Sequence, residues 1–112
     1  MILVVHRINS IEKLKKIPNK YGVEIDVRCY KKNLILSHDP FESGVHLKKY
    51  LKEYKHSLLV ANIKEAGIEK QVIKEIKKAG IKNFFLLDVE FPYVFKATNS
   101  GQKNIAIRFS EK

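Results

Sequence analysis

One cysteine, Cys29, stands in a chain of 112 residues. It has nothing to pair with, so an internal disulfide framework is excluded and a reducing, cytoplasmic location is expected. No apolar run approaches the roughly 20 residues that cross a bilayer, so no membrane span is expected. Long polar tracts of the kind that stay disordered are missing too. No basic leader precedes the first apolar stretch: Met1 runs straight into Ile2-Leu3-Val4-Val5, which reads as a core strand and not a signal peptide. A zinc-ligand spacing, a recognition-helix pattern and an aromatic-basic stacking motif are also lacking, so specific nucleic-acid binding is not expected. Acidic residues are few, 12 against 22 Lys plus Arg, for a formal charge of +10. That surplus favours anionic partners such as phosphate esters. The lysines, however, are spread through almost every helical segment, and a solvated surface accounts for them as well.

What is present is an alternation of short apolar runs with helical patterns, in a length that suggests one domain over residues 1–112. Strands are expected at 2–5, 23–28, 34–36, 58–61, 84–89 and 104–109. Ser10 is a candidate N-cap for a helix carrying Ile11, Leu14 and Ile17, ended by Pro18. Ser43 and Gly44 are expected to open a helix with Leu47, Tyr50, Leu51 and Tyr54 on one face. Gly67 starts another, with Ile68, Val72, Ile76 and Ala79 aligned and Gly80 as its stop. A short helix is expected around Tyr93 to Ala97, then a turn at Ser100-Gly101. Near-continuous apolar strands alternating with helices predict an α/β fold with a parallel sheet.

Polar residues gather at one end of these strands. His6 and Arg7, Glu24 and Asp26, His38, Lys64, Asp88 and Glu90, and Arg108 and Glu111 lie at or just past the carboxyl end of an apolar run. Parallel α/β proteins build their sites on that rim. A lone strand-end histidine is more often a packing residue than a catalyst. Two of them with carboxylates between suit a general acid and a general base around a phosphate, because imidazole exchanges protons near neutrality. His46 and His56 fall in a helix and its exit, where exposure is expected. Glu24 and Asp26, two apart on a strand, share a face and repel unless something positive lies between them. Arg7 or Lys64 from across the sheet would serve, and so would a hard divalent cation, which is the first reading. Cys29 reads as a small apolar residue.

Together "VVHR", "VEIDVR" and "LILSHDP" resemble the glycerophosphodiester phosphodiesterase family, whose pattern runs His-Arg-Gly, Glu-x-Asp and then His-Asp after a short hairpin. "LLVANIK" looks like the family's third-strand Glu-x-Lys segment. The resemblance implies a TIM-barrel hydrolase that uses Mg²⁺ or Ca²⁺. His6 and His38 would be general acid and base. Glu24 and Asp26 would hold the metal with Asn62 beside them, while Arg7 and Lys64 would meet the phosphate. In this family the glycerol's own hydroxyl attacks first, giving a cyclic phosphate that water then opens.

Three positions depart from the family's pattern. Ile8 stands in place of the glycine after His-Arg, the Glu-Asn-Thr segment has no counterpart between Asn9 and Tyr21, and Asn62 replaces a ligand Glu. Two of four carboxylate ligands remain, with Asp88 or Glu90 as candidates to compensate. A full barrel takes about 250 residues, and this chain supplies about five strand-helix units, so a shortened or partial TIM-barrel-like fold is expected. An open sheet of this kind favours a homo-oligomer that covers it. The leading function is metal-assisted hydrolysis of a glycerophosphodiester or related small phosphodiester. The alternative is a non-catalytic phosphate-ligand-binding or assembly module that kept the fold.

Overall fold

The computed structural model describes residues 2–40, 42–88 and 107–110. In chain order the elements are β1 (Ile2–Val5), α1 (Ile11–Lys15), β2 (Gly22–Tyr30), β3 (Asn33–Leu36), α2 (Leu47–Lys52), β4 (Leu58–Ile63), α3 (Glu69–Lys78), β5 (Phe84–Asp88) and β6 (Ile107–Ser110). The sheet order is β5-β4-β2-β1-β6, every neighbour along it parallel, and the sheet curls into a half-barrel. The expected α/β class and parallel sheet are therefore present. The expected helix around Tyr93 to Ala97, the Ser100-Gly101 turn, Glu90 and Glu111 lie outside the described residues. Among the described residues no helix is long and apolar enough to cross a membrane.

β3 is the one antiparallel strand described, and it takes the edge of β2 that β1 leaves. Ile8 N–H donates to Glu24 O and Ser37 N–H to Asp26 O, two carbonyls on the same side of the strand. The β2–β3 hairpin turns on Lys31 and Lys32 alone, since Tyr30 already pairs with Asn33. Both turn residues have positive φ, 49° and 69°, the type I′ arrangement that matches strand twist but suits Asn-Gly. Left-handed backbone costs a residue with a Cβ roughly 1–2 kcal/mol. Lys31→Asn with Lys32→Gly is therefore expected to stabilise the fold by about 1 kcal/mol, read as a higher urea midpoint with an unchanged slope.

Register divides the strands into two faces, because residues paired in a parallel ladder point the same way. On one face Val4, Gly22 and Leu58 form a row, then Glu24, Val60 and Phe85, then Asp26, Asn62 and Leu87. The first row is tightly packed: a Cβ on Gly22 would lie 3.0 Å from Leu58 O and 3.2 Å from Val4 Cγ2. The face is thus apolar at the amino ends of the strands and acidic toward their carboxyl ends. Val23, Ile25, Val27, Leu59, Ala61 and Ile63 on the other face are buried in one core with Leu14, Leu47, Tyr50, Leu51, Val72 and Ile76 from the helices.

Two helix ends follow local chemistry directly. Ser10 caps α1, its Oγ accepting from Lys13 N–H at 3.1 Å. Gly80, at φ 81°, supplies the left-handed residue that follows the α3 C-cap Ala79. Two starts differ from the expectation: α3 begins at Glu69 and not at Gly67, with no side-chain cap from Ile68, and α2 begins at Leu47 and not at Ser43-Gly44. Val45 and His46 are instead drawn alongside β3, where Leu36 N–H donates to Val45 O and Ile35 bridges to His46. Gly44 passes so close that a Cβ there would overlap the Leu36 carbonyl oxygen.

Candidate functional site

The site grows from β2. Glu24 and Asp26 are nearly fully buried, at 5% and 1% exposure, on strand positions whose shared face was fixed by their spacing. A buried carboxylate needs a donor for each oxygen, or a compensating charge. Both are supplied here. Glu24 Oε1 accepts the backbone N–H of Arg7 at 3.0 Å, and Oε2 accepts the Asn62 side-chain amide at 3.1 Å. Asp26 Oδ2 accepts the Asn9 side-chain amide at 2.9 Å, and Oδ1 lies 3.7 Å from the Lys64 ammonium. All four carboxylate oxygens are engaged by groups of this chain.

Of the two cations weighed against Asp26, the neighbour is Lys64. Its side chain is 26% exposed. The backbone around it is clamped: Lys64 N–H donates to Val27 O, and Glu65 Oε2 accepts Cys29 N–H, so both residues after β4 are tied to β2. Arg7 acts differently from the expectation. Its main chain, not its side chain, meets Glu24, and the residue is exposed. It carries φ 57°, so the left-handed step falls on Arg7 itself and leaves Ile8 free to be a buried core residue. The family's glycine is not needed at position 8 for this turn. Tyr50 fastens the same loop from the core, donating its hydroxyl to Ile8 O at 2.6 Å. Burial raises the ionisation point of that phenol well above its ordinary value, so it remains a donor.

His6 follows β1 directly and is half-buried, next to the Arg7–Glu24 contact. His38 comes two residues after the antiparallel β3, next to Ser37, whose N–H reaches Asp26 O midway along β2. Its ring is 39% exposed, and Nδ1 lies 3.0 Å from Asp39 Oδ1. Arg28 holds this segment, donating from Nε to Ser37 O at 3.2 Å and from Nη2 to His38 O at 2.8 Å. Glu24, Asp26, Asn62 and Lys64 are joined by the contacts above, while His6 and His38 follow β1 and β3, the two strands that pair along the other edge of β2. His46 is exposed as expected; His56 is half-buried, with Nε2 2.7 Å from Ile17 O.

Two residues that matter here were not picked out in the sequence. Arg28 lies two beyond Asp26, so the alternation that grouped Glu24 with Asp26 also puts Arg28 on that face. Asn9 makes a two-point clasp, since its Oδ1 also accepts Asp26 N–H at 2.8 Å. Its only signal was a carboxamide three residues past a strand-end histidine.

The described residues meet both carboxylates with donors of the chain itself. They hold no cluster of three or more His, Cys, Asp or Glu suited to a metal. Asn62 turns its N–H₂ and not its oxygen to Glu24, and an ammonium already lies against Asp26. No family model, no curated protein and no solved structure matches this chain.

Proposed function

We propose that this chain binds a small phosphodiester at the carboxyl rim of its sheet and cleaves it by general acid-base chemistry, in the manner of the glycerophosphodiester phosphodiesterases it resembles. The observation that carries this reading is Lys64, whose partly exposed side chain is held 3.7 Å from the buried Asp26 of β2, the strand that also pairs with β1 and β3, which His6 and His38 follow. A cation held on a rigid element binds a phosphoryl oxygen without reorganising, and stabilises the charge that builds there during displacement.

In the proposed reaction the substrate's own hydroxyl attacks phosphorus. Its proton passes to the imidazole of His6 as the new P–O bond forms. The bond to the leaving alcohol breaks, and that oxygen takes a proton from the His38 imidazolium. Water then opens the cyclic phosphate by the reverse pair of proton transfers. Lys64 and the exposed guanidinium of Arg7 meet the non-bridging oxygens. Glu24, Asp26, Asn9 and Asn62 form the frame that holds the rim and do not touch the reacting atoms. Arg28 positions His38 through the backbone.

The test is a panel of glycerol-, inositol- and sugar-containing phosphodiesters incubated with the folded chain. Release of a cyclic phosphate or monoester is expected, and no turnover of any member removes the enzymatic reading. A second reading, binding without turnover, draws on the His38 ring, which is exposed and engaged with its own neighbour Asp39. Saturable glycerol phosphate binding with no cleavage of the panel would select it.

A further inference from the structure

We infer that Lys64 does in this chain what a divalent cation does in the proteins it resembles, and that the site is built to work with no metal. The inference deepens the proposed function, but its test reads metal binding alone and needs no substrate.

The argument is one of charge and donors. Two carboxylates two apart on one strand face require a positive neighbour. The charge can come from a metal or from a side chain, and the two alternatives make opposite demands on the surrounding atoms. A metal demands bare oxygens converging at about 2.0–2.6 Å. An ammonium demands acceptors, and leaves the other oxygens to N–H donors.

Among the described residues the groups that meet the oxygens of Glu24 and Asp26 are donors: Arg7 N–H, the Asn9 and Asn62 amides, and the Lys64 ammonium. Asn62 is informative because a carboxamide offers either an oxygen or an N–H₂. Here it gives the N–H₂ to Glu24, so that carboxylate oxygen is met by a donor. A divalent ion placed on Asp26 Oδ1 would sit against the ammonium, like charges beside an acid that is 1% exposed. Nor can Lys64 easily withdraw its backbone, which is tied to β2 at Val27 O. The cation is thus part of the fold, supplied by the sequence and present whenever the chain is folded.

The experiment uses the full chain after chelator treatment, titrated with Mg²⁺, Ca²⁺ and Mn²⁺ in thermal melts and by calorimetry. The wild-type melting temperature is expected to be the same in chelator and in each metal, with no saturable heat. Lys64→Met removes the resident charge and leaves Asp26 buried beside Glu24. This variant is expected to melt lower in chelator and to regain several degrees in Mn²⁺ or Ca²⁺, as ligand binding to the folded state requires. Lys64→Gln, which keeps a donor near Asp26 Oδ1, is measured alongside in case the methionine variant does not fold. A saturable metal-dependent rise in the wild type that Asp26→Asn abolishes would overturn the inference. So would a folded Lys64 variant that is as indifferent to metal as the wild type. Failure of the phosphodiester panel would leave this result standing, since no substrate enters it.

Discussion

His6→Ala is expected to lower phosphodiester turnover by about 10²–10⁴-fold, the usual contribution of one positioned acid or base. The fold should survive. His6 is half-buried just past β1, and the Arg7 N–H that serves Glu24 belongs to the following residue's main chain. Thermal melts establish that the variant is folded at the assay temperature, where the rates should separate. The variant is expected to keep its affinity for glycerol phosphate, because the cations assigned to the phosphate are Lys64 and Arg7. A fall in kcat with unchanged KM would mark His6 as acting in the transition state. A rate unchanged within a factor of about three would remove His6 from the chemistry, since that is far below the contribution of a general base.

Asn9→Ala should give the largest loss of stability among single substitutions at the site. The side chain serves Asp26 twice, donating to Oδ2 at 2.9 Å and accepting from its N–H at 2.8 Å. Alanine leaves a buried backbone N–H and a buried carboxylate oxygen without those partners. Each orphaned group costs about 1–3 kcal/mol, more for the charged one. The sum is about 3 kcal/mol, or a fall in melting temperature of roughly 10 °C for a domain of this size. Asn9→Asp keeps the acceptor, but sets a second carboxylate against Oδ2, and should be no better than alanine. Asn9→Ser, able to meet one of the two groups, should fall between. A loss under about 0.5 kcal/mol would mean that water replaces the carboxamide and that the clasp does not hold the frame.

Local pattern carried the strands, the α1 start and the α3 stop because local forces decide them. β-branched and aromatic runs marked β1, β2, β4 and β5, and Ser10 met the N–H it was expected to meet. The α2 start was misread for a physical reason. Ser43-Gly44 is a good local cap, but pairing of Val45 with Leu36, nine residues away, takes that segment into the sheet edge first.

The candidate site divides in the same way. Period-two alternation is enough to set Glu24 and Asp26 on one face, and position after a strand is enough to single out Lys64, which meets Asp26. The choice among Arg7, Lys64 and a metal as the balancing charge was not legible. It depends on the register that sets Asn62 opposite Asp26 and so carries Lys64 past the end of β2's pairing with β4. Asn9 was hidden for the same reason. Nothing local distinguishes a carboxamide that clasps a buried aspartate from one in an ordinary loop.

The site stands or falls as a single phosphodiester-cleaving unit, and ³¹P NMR of a glycerophosphodiester incubated with the folded chain in chelator addresses that directly. The expected record is loss of the diester signal, transient appearance of a cyclic phosphate and then a monoester, with all three changes absent for His6→Ala. A spectrum in which the diester neither shifts nor disappears, at concentrations where the chain is folded, would contradict it.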